Sequence, residues 1–177
     1  MNEREQLLRH INDKAVIHGP VTLSSGQRAN HYVDLRQVTL SGSGAPLVGA
    51  AMLAATADLD YTAVGGLTLG ADPVAAAMLH AAHAQGRDLD AFVVRKAGKE
   101  HGLQRRIEGP DVSGRRVLAL EDTSTTGNSV LTAVTALQDA GAEVVGVAVL
   151  VERGAREHIT NSGLDYRAVY ELSELDV

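Results

Sequence analysis

Residues 118–129 read LALEDTSTTGNS: an apolar run, two adjacent acids, Glu121 and Asp122, then Thr123, Ser124, Thr125, Thr126, Gly127, Asn128 and Ser129. Small hydroxyl residues running into a helix start offer free N–H groups, hydroxyls and the positive end of a helix dipole. That combination suits a phosphate. Gly127 lets the backbone come close to such a group. The acids would repel a second phosphate, but they accept hydrogen bonds from paired hydroxyls such as those of a ribose. Taken singly, each residue is an ordinary loop acid or helix cap. Their order points to a 5-phosphorylated ribose, with sugar on the acids and phosphate in the loop.

A second segment carries the opposite charge. RKAGKEHGLQRR, residues 95–106, holds five basic residues and one acid, +4 within a chain of net charge -6. Such a run is either a solvated surface loop or the partner of a polyanionic small molecule. Arg105 and Arg106 extend its field or only solubilise it. Arg153 and Arg156 follow a further apolar run, and Arg153 lies closer to its end. His80 and His83 could share a metal at their spacing, but no third ligand stands near, so a helix surface is the better reading. Asp34 and Arg36 sit in a strand pattern and read as an ion pair or a contact to a cap. The chain lacks a Walker loop and its lysine, which argues against a nucleoside triphosphatase.

These segments need elements to hold them. Leu7, Leu8, Ile11 and Ala15 share a helical face, with Gly19 able to end the helix. Residues 21–23 and 32–35 flank a Ser-Ser-Gly turn as short strands. Pro46 opens a helix; 61–67 is a buried strand. Asp72 and Pro73 form a cap and first-turn pair for a helix stopped by Gly86. Strands are expected at 91–94, 117–120, 144–151 and 167–172, with a helix from Ser129 to Gly141. Continuously apolar strands alternating with helices predict an α/β fold: a mostly parallel sheet with helices on both faces. The first 40 residues or so form a small N-terminal cap, and 41–177 the core of a single domain. Ligands of open α/β sheets sit at the carboxyl ends of the strands. The polar segments GLTLGAD, RKAGKEHG, EDTSTTGNS and ERGARE all follow strand ends.

Composition narrows the classes. At 177 residues one domain with a real core is expected. Net acidity and 3% aromatics argue against a nucleic-acid partner, which needs a basic face and stacking platforms. With no cysteine there are no disulfides or thiolate sites, which fits a reducing cytoplasm. The charged N-terminus lacks the apolar stretch of a signal peptide, and no apolar run reaches membrane-spanning length.

LALEDTSTTGNS resembles the phosphoribosyl-pyrophosphate (PRPP) motif of type I phosphoribosyltransferases. RKAGKEHG is similar to the basic loop of the orotate phosphoribosyltransferases, LSSGQRANHYVDLR to their N-terminal segment, and VER to the place of their carboxylate-binding arginine. The resemblance covers most of the chain in the family's order. It implies a type I phosphoribosyltransferase-like fold and transfer of phosphoribosyl from PRPP to N1 of orotate, giving orotidine 5′-monophosphate and pyrophosphate in pyrimidine synthesis. It implies that Glu121 and Asp122 bind the ribose hydroxyls and that Thr123 to Ser129 wrap the 5′-phosphate. Arg95, Lys96, Lys99 and His101 would meet the pyrophosphate; Thr125 and Arg153 would meet orotate. Lys99, His101 and Asp122 are the implied catalytic residues. It further implies Mg²⁺ held mainly by PRPP, with no direct protein ligand, and a homodimer with shared active sites. The chain departs from many relatives at Ser24 and in GLTLGADP, where lysines are common; backbone N–H groups of Gly70 to Asp72 are the substitute donors. Two alternatives share the PRPP loop. A purine phosphoribosyltransferase would not need Arg153 for a carboxylate. A non-catalytic PRPP-sensing regulator would lose the basic loop and add a basic face.

Overall fold

The computed structural model describes residues 1–22, 26, 28–97 and 105–177. Helix α1 (Glu3–Lys14) opens on a reciprocal cap. The Asn2 side chain accepts from the Glu5 N–H at 2.9 Å, and Glu5 accepts from the Asn2 N–H at 3.0 Å. Leu7 and Ile11 point from it into the core. Strands β1 (Val16–Thr22) and β2 (Arg28–Val33) then pair antiparallel as a separate two-stranded sheet. The expected helix stop at Gly19 is corrected here. The helix ends before Ala15, because Val16 leaves it to pair with Val33, and Gly19 lies at an irregularity within β1. Asp34 and Arg36 are not in a strand either: β2 ends at Val33 and Arg36 opens the single turn α2 (Arg36–Thr39).

The main sheet has six strands in the order β5-β4-β3-β6-β7-β8. They are β3 (Ala63–Leu67), β4 (Asp90–Val94), β5 (Ile107–Glu108), β6 (Arg116–Ser124), β7 (Glu143–Glu152) and β8 (Asp165–Glu171). All neighbours are parallel except the short edge strand β5. Alternate residues of β6 feed two cores. Leu118 and Leu120 pack with α1, α3 (Ala45–Ala55) and α4 (Ala71–Ala84). Val117 and Ala119 pack with α5 (Asn128–Asp139) and α6 (Arg156–Asn161). Burial on both faces explains why these strands are apolar throughout. Among the described residues, no helix is long and apolar enough to cross a membrane.

Two local expectations shift. Asp72 is not the cap of α4; Gly70 holds that place. Asp72 lies in the first turn, where it accepts a hydrogen bond from the Thr68 hydroxyl at 2.7 Å. The acids and hydroxyls after Leu120 are not yet loop. β6 runs on to Ser124 because β7 keeps pairing with it, Glu121 opposite Val149, Thr123 opposite Val151 and Ser124 opposite Glu152. Backbone pairing thus outweighs the polar character of the side chains.

Candidate active site

A cavity of about 330 Å³ opens at the carboxyl ends of the parallel strands. Leu67 and Thr68 from the end of β3 line it, with Glu121, Asp122 and Thr123 from β6 and Ser129 from α5. Lys96, just past β4, closes one side, and Tyr32 to Arg36 from the end of the hairpin close another. The placement follows from topology, since side chains at these strand ends have no further strand to cover them.

Glu121 is only 8% exposed. Burial first, then the charge and hydrogen bond of Asp122, and last Asp72, push its carboxyl up to about 8. Burial also raises Asp122, although the N–H of Thr123, at 2.7 Å, and the positive charge of Arg36 oppose the rise. Without ligand, then, this pair of acids does not readily hold two negative charges. The Gly70 α-carbon lies hard against both. A Cβ there would stand 2.6 Å from Glu121 Oε1 and 2.8 Å from Asp122 Oδ1, so a larger residue would have to displace both carboxylates. Asp72 Oδ1 and Thr123 Oγ1 are buried and have no hydrogen-bond partner among the described residues. So many oxygens around the Gly70–Asp72 turn make it a poor stand-alone phosphate site. Its Asp72 N–H is also turned to the Leu69 carbonyl, at 3.3 Å.

Beyond Ser124 the chain becomes a true loop. Gly127 takes a left-handed conformation (φ 82°) and caps α5, a conformation that favours glycine. Thr125, Thr126, Asn128 and Ser129 are exposed around it. A 12-residue helix thus starts on an open ring of hydroxyls and N–H groups, as an anion site requires.

The cations divide. Lys96 lines the cavity. Arg95 reaches Glu108 at 3.5 Å, an exposed and weak pair. Arg106 donates to the carbonyls of Arg95 (3.1 Å) and Lys96 (3.3 Å), so it braces the base of the basic segment. Lys99, His101 and Ser24 lie outside the described residues. Arg36 donates to Asp34 at 2.7 Å and, with it, lines the cavity; sequence reasoning found the ion pair but not its location. His80 and His83 are exposed on α4, away from this cavity.

Arg153 is not on the wall of that cavity. It stands one strand over, its N–H bonded to the Ser124 carbonyl at 3.0 Å, and its Nε is buried with no partner among the described residues. Arg156 is already engaged, paired with Glu171 and lying 5.0 Å from the centre of the Tyr166 ring. Of the two arginines, Arg153 is the one with unmet hydrogen-bonding capacity. Sequence reasoning passed over Glu152 and Tyr166. The signal was a single acid closing an otherwise apolar strand.

The strand-end acids, the hydroxyl loop and the helix start define a sugar-phosphate site of the phosphoribosyltransferase kind. Residues 61–163 match the family model of the phosphoribosyl transferase domain. The chain is 66% identical to an orotate phosphoribosyltransferase from Streptomyces avermitilis, over 97% of this chain and 96% of that one. It is 58% identical to one from Corynebacterium glutamicum, over 97% and 93%. Among solved structures, the orotate phosphoribosyltransferase of Mycobacterium tuberculosis in complex with PRPP superposes with a TM-score of 0.87 at 51% identity, covering 99% of this chain and 100% of that one. An adenine phosphoribosyltransferase from Leishmania tarentolae, 14% identical with a TM-score of 0.69, shares the fold alone; it covers 98% of this chain and 89% of that one. The chain belongs to the phosphoribosyl transferase family and, within it, to the orotate phosphoribosyltransferases.

Proposed function

We propose that the chain transfers phosphoribosyl from PRPP to N1 of orotate, releasing pyrophosphate and forming orotidine 5′-monophosphate for pyrimidine synthesis. The observation that carries this is the sorting of charge at the strand ends: the buried Glu121 and half-buried Asp122 on β6, a loop with free hydroxyls beyond them, and one strand over an arginine whose buried Nε has no partner among the described residues. Glu121 and Asp122 accept the ribose hydroxyls, and a bond to whichever carboxyl of the pair carries the negative charge is worth about 1.5–3 kcal/mol. The segment Thr123 to Ser129 holds the 5′-phosphate. Arginine's planar fork suits Arg153 to the orotate carboxylate, with Thr125 beside the base.

Cleavage of the bond from C1 to pyrophosphate builds positive charge on the ribose and negative charge on the leaving group. The acids ease the first; Arg95, Lys96, Lys99 and His101 answer the second. A basic segment drawn over the diphosphate also excludes water, which would compete with orotate for the sugar. The oxygen-rich wall of Glu121, Asp122 and Asp72 is compatible with a hard cation nearby. Mg²⁺ would be held mainly by PRPP, near Glu121 and Asp122, and would supply charge neutralisation at the leaving group. Residues 1–177 act as one unit, the first 40 or so capping a core of 41–177, and two copies share their active sites in a cytoplasmic homodimer. The test is loss of orotate absorbance on adding PRPP and Mg²⁺, with hypoxanthine as competitor. Arg153→Ala should raise the KM for orotate at least tenfold, the scale of a lost charge-assisted bond. An unchanged orotate KM in that variant refutes the role of Arg153, and absence of turnover in the parent refutes the activity.

A further inference from the structure

The buried acid left unused by this chemistry is Glu152. It ends β7, is 5% exposed, and is fully hydrogen-bonded. One carboxylate oxygen accepts the N–H groups of Gly154 and, at 3.3 Å, of Arg156; the other accepts the Tyr166 hydroxyl. Tyr166 is on the neighbouring strand β8 and is itself 5% exposed. The Arg156 guanidinium lies over the Tyr166 ring and pairs with Glu171, closing the group on its outer side.

These bonds do one thing together: they fix the turn 152–156. Arg153 sits at its head, tied on its other side to the Ser124 carbonyl at 3.0 Å. The next residue, Gly154, lies so near the phosphate loop that a Cβ on it would stand 3.4 Å from the Thr125 carbonyl oxygen. The turn therefore sets Arg153 and Thr125 side by side. A buried carboxyl group that accepts three hydrogen bonds is a rigid peg, since breaking any one of them leaves a buried polar group short of a partner. Arg153 Nε, by contrast, is buried with no acceptor among the described residues, as expected of a group whose partner arrives with the substrate.

We infer that Glu152, held by Tyr166, is a positioning residue that presets Arg153 for the orotate carboxylate, and so governs affinity for the base substrate independently of PRPP. The inference rests on the reading of Arg153 given above. Its logic is pre-organisation: a cation already placed loses little freedom on binding, whereas one on a loose turn must be ordered by the substrate. The Tyr166 hydroxyl is well suited to the task. Burial, and then its bond to Glu152, hold it protonated well above the usual phenol range, so it donates at any working pH.

The experiment is steady-state kinetics on the full chain, varying orotate and PRPP in turn, for Glu152→Gln, Tyr166→Phe, Arg153→Ala and the double variant Glu152→Gln/Arg153→Ala. Glu152→Gln should raise the orotate KM about tenfold or more, leaving the PRPP KM and the kcat at saturating orotate within about twofold. Tyr166→Phe, which removes one hydroxyl and little volume, should shift the orotate KM in the same direction by a smaller factor. The double variant should be no worse than Arg153→Ala alone, because a peg with nothing to position has no effect on the base. Equal losses for both substrates, additive losses in the double variant, or an unchanged orotate KM in a folded Glu152→Gln each overturn the inference. If Glu152→Gln does not fold, Tyr166→Phe decides by the same split. A normal orotate KM in Arg153→Ala would instead sink the reading of Arg153 itself.

Discussion

At the scale of single residues, the site depends on a carboxyl that resists ionisation. Glu121 is raised to about 8 in the folded chain against an ordinary value of 4.5, mainly by burial and then by Asp122. Between those two values the folded protein holds a proton that the unfolded chain has lost. Stability is therefore greatest below the lower value and falls as pH rises through the upper one. The ligand-free protein should show a Tm that declines between about pH 5 and about pH 8, and Glu121→Gln should flatten the decline. Thermal unfolding followed by circular dichroism across that range checks it; an identical slope in the variant would place the titration elsewhere. Asp122, which burial also raises, adds to the same decline, so Glu121→Gln flattens it only in part, whereas Asp34 and Glu174 act outside this window. Burial alone would raise Asp34 and Glu174, but hydrogen bonds outweigh it, led by Arg36 for Asp34 and by Arg4 for Glu174, and hold both below their ordinary values. Their contribution is present above the ordinary carboxylate range and is lost only in stronger acid.

Among elements, the unit that matters is β6, its loop and α5, because the proposed sugar and phosphate contacts both fall on this one continuous segment. Gly127 is its pivot. Its left-handed φ of 82° disfavours other residues, and a Cβ there would approach Ile159 Cγ1 to 3.0 Å and His158 Cδ2 to 3.4 Å. Gly127→Ala should cost about 1–2 kcal/mol of stability, the usual toll of a side chain in that conformation. It should also raise the KM for PRPP about tenfold or more, since the loop must shift off its phosphate. Denaturant unfolding and PRPP kinetics on one preparation test both, and a variant with parental PRPP KM would show that the loop does not carry the phosphate. The same segment shows what the sequence could disclose. The apolar runs of β6 and β7, the helix stop near Gly86 and the order of strands and helices were readable, because burial on both faces leaves a direct imprint on residue type. The end of β6 was not readable, because Glu121 to Ser124 are kept in the strand by pairing with β7 and not by their own preference. The Glu152–Tyr166 bond was equally hidden, since it depends on how β8 registers against β7. The turn of α6, whose Ile159 braces Gly127, is too short to show a periodic signal.

For the whole molecule, the distribution of charge implies a division of labour. The net charge is -6 although residues 95–106 carry +4 in sequence, and among the described residues the cations lining the acid-walled cavity are Arg36 and Lys96. The ion pairs scattered over the rest of the surface, such as Arg116 with Glu143 and Arg167 with Asp58, are largely exposed and add little to stability. On the proposed reading, the worth of the basic segment lies in the pyrophosphate it meets when PRPP is bound. If active sites are shared between two copies, Lys99 serves the partner's acids and Asp122 its own loop. Lys99→Ala alone should lower turnover by about a hundredfold to a thousandfold with folding intact, the effect of removing one contact made in the transition state. Asp122→Asn should lower it through the sugar. Mixed in equal amounts and allowed to exchange subunits, the two variants should recover about one quarter of the parent's activity. Half of the dimers are then hybrids, and in each hybrid one of the two sites draws an intact Lys99 and an intact Asp122 from different chains. Assay of the mixture over time, against each variant alone, gives the answer. Recovery to that level requires a basic segment acting across the interface; no recovery after exchange has been verified by a mass-labelled subunit means that each chain completes its own site.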